Sequence, residues 1–221
     1  MTEVVALIGH PVSHSLSPRM HNAAFGARGL DWTYVALDVP PDRLEAAVRG
    51  LDALGFAGAN VTAPYKQDVA RILGSKLPSV NTLLPGGGAA STDTAILELV
   101  THCHKLVILG DGGAAAAFRY ALPEASVYSR RTAWPPDVAD ADLVVNATPV
   151  SDEVLVELHG GQTLIDLPYP RTATAKAAAA SGATVHDGLD VLVAQGAASF
   201  ELWTGVPAPV DVMRRAVGLH G

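Results

Sequence analysis

Leu106-Val107-Ile108-Leu109-Gly110-Asp111-Gly112-Gly113-Ala114-Ala115 is the stretch on which the fold turns. Four apolar residues make a short buried strand, and a helix pattern runs from Ala114 to Leu122. Between them Gly110, Gly112 and Ala115 match the GxGxxA fingerprint of a dinucleotide-binding turn. The first glycine permits the tight turn, and the second lets the backbone approach a pyrophosphate. The small third residue lets helix and strand pack closely, and the helix N-terminus favours the phosphates.

The following strand, Ser126 to Tyr128, runs into Ser129-Arg130-Arg131-Thr132. This lies about 20 residues past the first glycine, where NAD-binding chains place a carboxylate for the ribose hydroxyl. A guanidinium there accepts a 2′-phosphate instead, which points to NADP. Two solvated loop arginines are the other reading. Further strands are expected at Leu143–Asn146, Thr163–Ile165 and Thr184-Val185, with a helix at Ala173–Ala180. That rhythm is a doubly wound parallel sheet.

Upstream, β-branched runs and helix-favouring segments also alternate. Val4–Ile8, Thr33–Leu37 and Phe56–Val61 read as strands. Helices are expected from Ser17 (as N-cap, with Pro18 at N1) to Arg28, over Pro41–Leu54, and briefly after Pro64. Val80–Leu84 and Ala89-Ala90 flank Gly86-Gly87-Gly88 as a hairpin, and Asp93 opens a helix to His102. Leu189–Trp203 and Val210–Val217 close the chain as helices, and Asp152, Glu153 and Glu157 read as a solvated helix face.

The chain has 221 residues, 15 basic against 22 acidic side chains, and one cysteine, Cys103. Its net charge of −7 and lack of basic runs argue against nucleic acid and anionic membranes. No apolar stretch reaches the roughly 18 residues that span a bilayer. A single cysteine excludes a disulfide framework, so a cytoplasmic protein is expected. His102 and His104 would share one face of a strand, but with no nearby carboxylate or second cysteine they read as polar loop; no metal site is expected.

Two segments of the first half carry chemistry. His14-Ser15-Leu16-Ser17-Pro18 puts two hydroxyls at a strand-to-helix loop, where they can hold a carboxylate; a plain N-cap is the alternative for Ser17. Asn60-Val61-Thr62-Ala63-Pro64-Tyr65-Lys66 ends a strand and projects Lys66 from its carboxyl end, where open α/β sheets bind ligands. With four lysines against eleven arginines, a lysine there is less readily random surface charge. Ser79-Val80-Asn81-Thr82 and Ser91-Thr92-Asp93 add an amide and a carboxylate.

Taken in order, these segments resemble the shikimate dehydrogenase family. The resemblance also covers Gly9 with Pro11, Asn146-Ala147-Thr148, Asp166 with Tyr169, Asp187-Gly188, Gln195, and Phe200 with Trp203-Thr204-Gly205. It implies NADP-linked interconversion of shikimate and 3-dehydroshikimate in aromatic amino-acid biosynthesis. By the same resemblance Lys66 and Asp93 are the catalytic pair, and Ser15 and Ser17 hold the substrate carboxylate. Thr62, Asn81, Tyr169 and Gln195 surround the substrate. Gly110, Asp111, Gly112, Gly113, Ala114, Ser129, Arg130, Arg131, Leu167 and Gly188 line the cofactor.

The expected architecture is an α/β substrate domain, residues 1–98 completed by the C-terminal helices 189–221, with a trimmed Rossmann-like NADP domain at 99–188. The trimming has a location. Only eleven residues separate Arg131 from Leu143, and they include Pro135-Pro136, whereas a parallel crossover takes about a dozen or more. Ser91, Thr94, Ser151, Asp190 and Val191 depart from the family pattern, Asp190 adding a carboxylate near the expected nicotinamide. A monomer or homodimer acting on a small molecule is expected. The alternatives are a quinate or related cyclohexane-carboxylate dehydrogenase, and a weakly active shikimate-binding or regulatory paralogue.

Overall fold

A computed structural model describes residues 1–100 and 103–219. The chain divides into two compact units, Met1–Thr92 with Val193–Gly221, and Asp93–Leu192.

The first unit is built on a five-stranded sheet in the order β2-β1-β3-β4-β5. Its strands are β1 (Glu3–Gly9), β2 (Trp32–Asp38), β3 (Gly58–Val61), β4 (Thr82–Leu84) and β5 (Gly88–Ala90). The first three pair in parallel, and β4 and β5 add antiparallel as the expected hairpin. Helices α1 (Ser17–Ala27), α2 (Leu44–Ala53) and α3 (Lys66–Ile72) complete its N-terminal part. One face carries Ala6, Ile8, Ala59, Val61 and Leu83, packed against Leu44, Val48 and Leu51 of α2 and Val69 of α3. Alternation of side chains puts Leu7, Tyr34, Asn60 and Thr82 on the opposite face. There Phe25 of α1 stacks on Phe200 with ring centroids 5.3 Å apart. Full burial of each such ring stabilises by about 1.5–3 kcal/mol.

The second unit holds an all-parallel sheet in the order β10-β9-β8-β6-β7. Its strands are β6 (Leu106–Leu109), β7 (Ser126–Tyr128), β8 (Leu143–Asn146), β9 (Thr163–Asp166) and β10 (Thr184–His186). Helix α4 (Gly113–Ala121) follows β6, and α5 (Ala173–Ala180) joins β9 to β10. The other two crossovers contain no helix. The shortness of Arg131–Leu143 foretold the first. The second, residues 147–162, corrects the expectation of a helix bearing Asp152, Glu153 and Glu157. Val138, Ala141, Val156 and Leu158 from these coils lie buried over Val107, Leu109, Val144 and Leu164, beside Ala175 and Ala178 of α5. Single apolar side chains thus cover the sheet where helices would otherwise lie.

Helix α6 (Gly188–Thr204) has residues in both units, and α7 (Val210–Ala216) packs on α1. Two further expectations need correction. Ser17 is the first residue of α1 rather than its cap; Leu16 holds the cap position, without a side-chain hydrogen bond. The helix expected from Asp93 to His102 is a 3-10 turn at Ala95–Leu99, and Thr101 and His102 lie outside the described residues. No helix among the described residues is long and apolar enough to cross a membrane.

Candidate active site

The sheet face beneath α6 carries a polar row, in which Asn81, Thr82, Thr92 and Ser199 are buried and Asn60 and Gln195 half-buried. Asn60 on β3 accepts a hydrogen bond from the Tyr34 hydroxyl at 2.9 Å. Its Nδ2 reaches the Asn81 carbonyl at 3.1 Å, Thr82 Oγ1 at 3.2 Å and Ser199 Oγ at 3.0 Å. Ser199, in α6, donates to the Gln195 carbonyl at 3.0 Å and lies 2.9 Å from Thr82 Oγ1 and 3.1 Å from Thr92 Oγ1. Asn81 Oδ1 accepts from Thr92 N at 2.7 Å, and its Nδ2 donates to Thr92 Oγ1 at 3.0 Å and Gln195 Oε1 at 3.3 Å. Buried amides demand such partners, since an unmet one costs about 1–3 kcal/mol. The outcome is that Asn81 and Gln195 are held side by side, with the Gln195 oxygen committed to Asn81.

Lys66 opens α3, half-buried, and its carbonyl accepts from Val80 N at 3.0 Å, so it is tied to the stretch that ends in Asn81. Thr62 lies one turn earlier; its carbonyl accepts from Tyr65 N at 3.0 Å. Gly9 makes room for it, because a Cβ there would sit 2.4 Å from Thr62 Cγ2. Ser15 and Ser17 meet through Ser15 Oγ, which accepts from Ser17 N at 3.2 Å. Ser15 is half-buried and Ser17 buried. Asp93 is buried and follows Thr92 directly.

In the second unit Gly110 takes φ +118°, and a Cβ on it would lie 2.9 Å from the Ala147 carbonyl oxygen at the end of β8. Only glycine fits both demands. Gly112 caps α4 in an extended conformation with open space where a side chain would stand, Asp111 beside it is exposed, and Gly113 and Ala114 form the first turn. The first turn of α4 leaves backbone N–H groups without helical partners, and Gly112 adds no side chain in front of them, which suits a dinucleotide pyrophosphate. Leu167 and Gly188 come together: a Cβ on Gly188 would lie 2.6 Å from the Leu167 oxygen and 2.3 Å from that of Pro168. Tyr169, two residues on, is half-buried.

Ser129 is buried and stitches the turn after β7, its hydroxyl 3.0 Å from Thr132 Oγ1 and 3.3 Å from Arg131 N. Arg131 meets Asp111 at 3.4 Å, while Arg130 pairs with Glu153 at 2.6 Å. The added carboxylate of Asp190 accepts from Asp187 N at 3.3 Å, while Asp187 Oδ1 accepts from Leu189 N at 3.1 Å. These two hydrogen bonds give Asp190 a local role at the start of α6, reaching back to the backbone before the helix while Asp187 accepts from its first turn.

Several participants were not singled out as site residues from the sequence. Asn60, Thr82, Thr92 and Ser199 carry the polar row. Asp166 ends β9, fully buried, and takes hydrogen bonds from Asn146 Nδ2 at 2.7 Å and Thr172 Oγ1 at 2.8 Å. Burial raises its carboxyl above the ordinary value, those hydrogen bonds pull it back, and the Asp187 charge adds to the rise. A carboxylate closing an apolar strand was the available signal for it. Among the described residues no group of three His, Cys, Asp or Glu side chains could hold a metal.

The profile of the shikimate dehydrogenase substrate-binding domain matches residues 7–82, and that of the shikimate 5′-dehydrogenase C-terminal domain residues 188–217. A shikimate dehydrogenase (NADP+) of Methanopyrus kandleri is 39% identical over 280 aligned positions, covering 99% of this chain and 96% of the relative. Since the chain has 221 residues, at least 280 − 221 = 59 of those positions are gaps in it. The crystal structure of shikimate dehydrogenase from Aquifex aeolicus superposes with a TM-score of 0.87 at 30% identity, covering 98% of both chains. That of the Thermus thermophilus enzyme in complex with NADP(H) and shikimate gives 0.82 at 30% identity, over 97% of this chain and 98% of that one. The polar row and the glycine turn therefore sit in a molecule whose relatives match over nearly its whole length: the chain belongs to the shikimate dehydrogenase family.

Proposed function

We propose that the chain catalyses the NADP-dependent, reversible reduction of 3-dehydroshikimate to shikimate. The observation that carries this reading is the tie between Lys66 and the Asn81–Gln195 pair: one backbone hydrogen bond, from Val80 N to the Lys66 carbonyl, holds the start of α3 against the segment that carries Asn81, whose amide meets Gln195. A polyhydroxylated ring with a carboxylate needs those groups. The first unit serves as the substrate domain and the second as the nucleotide domain, and the protein works in the cytoplasm as a monomer or homodimer.

NADP, when bound, supplies the hydride acceptor or donor. The chain's residues align the ring and manage one proton. In reduction Lys66 Nζ donates a proton to the oxygen that becomes the alcohol, and in oxidation it takes that proton back. Asp93 orients Lys66 and accepts from a substrate hydroxyl. Ser15 Oγ already accepts from Ser17 N, so its own O–H is left to donate to the substrate carboxylate, with the Ser17 hydroxyl beside it. Gln195 has its oxygen on Asn81 and presents its Nε2 hydrogens to ring hydroxyls. Thr62, Asn81 and Tyr169 complete the surround. Gly110 to Ala114 cradle the pyrophosphate, Leu167 and Gly188 bound the nicotinamide side, and Ser129, Arg130 and Arg131 face the 2′-phosphate.

The test is a spectrophotometric assay of the purified chain with shikimate or quinate, each with NADP and NAD. Turnover of shikimate with NADP well above the other three combinations is expected. Quinate as the better substrate would shift the reading to a quinate dehydrogenase. Binding of shikimate without reduction of NADP would shift it to a regulatory paralogue.

A further inference from the structure

The two arginines after β7 stand in different surroundings. Arg131 is 84% exposed, and its contact with Asp111 is loose at 3.4 Å. Arg130 lies 2.6 Å from Glu153 Oε2, and its guanidinium carbon is 5.5 Å from the centroid of the Trp134 ring. It is therefore held from one side by a carboxylate and from another by an aromatic face.

Glu153 does not reach this place by chance of a long side chain. It belongs to the helix-free crossover 147–162, and that coil is pinned on both sides of it. Thr174 Oγ1, fully buried in α5, donates to the Glu153 carbonyl at 3.3 Å and accepts from Leu155 N at 3.0 Å. The pinned coil aims it at Arg130.

We infer that Glu153 is a specificity-determining residue whose carboxylate occupies Arg130 in place of the nucleotide's 2′-phosphate, so that the 2′-phosphate binds by exchange with it. The inference rests on the reading of Arg130 as a phosphate ligand. The exchange favours the phosphate, because a dianion with three acceptor oxygens competes with a monoanion in an exposed pair, and exposed pairs contribute little. A carboxylate at this point is also the group that accepts a ribose 2′-hydroxyl in NAD-binding chains. Glu153 therefore narrows the preference for the phosphorylated nucleotide below what two bare arginines would give.

The test is calorimetric titration of the whole protein, without substrate, by adenosine 2′,5′-bisphosphate and by AMP. Glu153→Gln keeps the backbone contacts of the coil. It is expected to tighten the bisphosphate about three- to tenfold at low ionic strength, an advantage that shrinks as salt screens it. AMP should bind as before or slightly less well. Arg130→Ala should abolish the preference for the bisphosphate. If Arg130→Ala removes that preference while Glu153→Gln leaves it unchanged or lowers it, the exchange is wrong and the phosphate ligand stands. If Arg130→Ala keeps the wild-type preference, Arg130 is not the phosphate ligand and the exchange falls with it.

Discussion

The two sheets solve the same problem by different means. Around the first, the helices α1, α2, α3 and α6 supply apolar faces, and the polar row of Asn60, Asn81, Thr82, Thr92, Gln195 and Ser199 is neutral and satisfied within itself. Around the second, two crossovers lack helices, and separate side chains such as Val138 and Leu158 close the core. Its distinctive features are glycine turns and exposed ion pairs such as Arg130–Glu153 and Arg131–Asp111. If the first unit holds shikimate and the second the nucleotide, as proposed, then shape and buried hydrogen bonds should govern the one ligand, and close backbone approach and salt-sensitive charge the other. Substitutions on the two sides should part company in what they change.

The largest effect is expected at Lys66. Lys66→Ala should lower kcat about 10²–10⁴-fold, the usual worth of a positioned acid–base group. The KM values for shikimate and NADP should stay within a few-fold, because the polar row and the glycine turn are untouched. An unchanged kcat would take Lys66 out of the mechanism.

Next is Gly188, on the nucleotide side. A methyl group there overlaps the Pro168 and Leu167 carbonyl oxygens, which belong to backbone and cannot rotate away. Gly188→Ala should cost about 1–3 kcal/mol of stability, as overpacking does. It should also weaken NADP more than tenfold (roughly 1.4 kcal/mol or more) while shikimate, followed by calorimetry, binds nearly as before. Equal losses for both ligands would mean that the two sides are not separable.

The sequence announces one kind of feature and hides another. Gly110 was legible, because a tight strand-to-helix turn leaves glycine as its trace, whereas Gly188 was expected only through the resemblance. Strand positions were legible for a similar reason: β-branched runs of four or five residues have few alternatives. The missing helix between Arg131 and Leu143 was a matter of counting. The helix expected around Asp152–Glu157 failed because Pro149 and a sixteen-residue span, Ala147 to Gln162, leave the chain needed to bring Val156 and Leu158 onto the sheet. Local propensity gave way to covering a core. Ser17 failed as a cap because Ser15, two residues before it, accepts its N–H. Of the polar row, Asn81 and Gln195 were expected at the substrate through the resemblance, but its wiring could not be read. Asn60 and Ser199 are 139 positions apart, and a serine between two helical alanines and a phenylalanine carries no sign of its partners.

That hidden residue offers a third, smaller effect. Ser199→Ala removes a hydroxyl shared by Asn60, Thr82, Thr92 and the Gln195 carbonyl. The others retain alternative partners, so about 1–2 kcal/mol of stability should be lost in urea titration. The effect on shikimate KM should exceed that on NADP KM, since Gln195 and Asn81 share the row. The reverse order would place Ser199 outside the substrate side.

The last effect distinguishes the units by acid. His21 of α1 is fully buried, with no hydrogen-bond partner for either ring nitrogen, and it stacks on Tyr34 at 4.5 Å. Burial lowers its pKa from 6.5 to about 3. Above pH 6.5 the ring is neutral folded or unfolded, and nothing is lost. As pH falls toward 3, the unfolded chain takes a proton that the native ring refuses, so the first unit should lose about 1.4 kcal/mol per pH unit. Asp166 in the second unit has the opposite sign. Its native carboxyl is held above 3.8, so between that value and its raised one the native state takes the proton first, and falling pH adds stability there. Hydrogen exchange from pH 6.5 down to about 5 should therefore show protection falling at Val5–Ile8 of β1 while Val144 of β8 and Ile165 of β9 hold theirs. His21→Phe keeps an aromatic ring against Tyr34 and should flatten the loss in the first unit. A loss that persists in that variant, or that appears equally in both sheets, would remove His21 as its source.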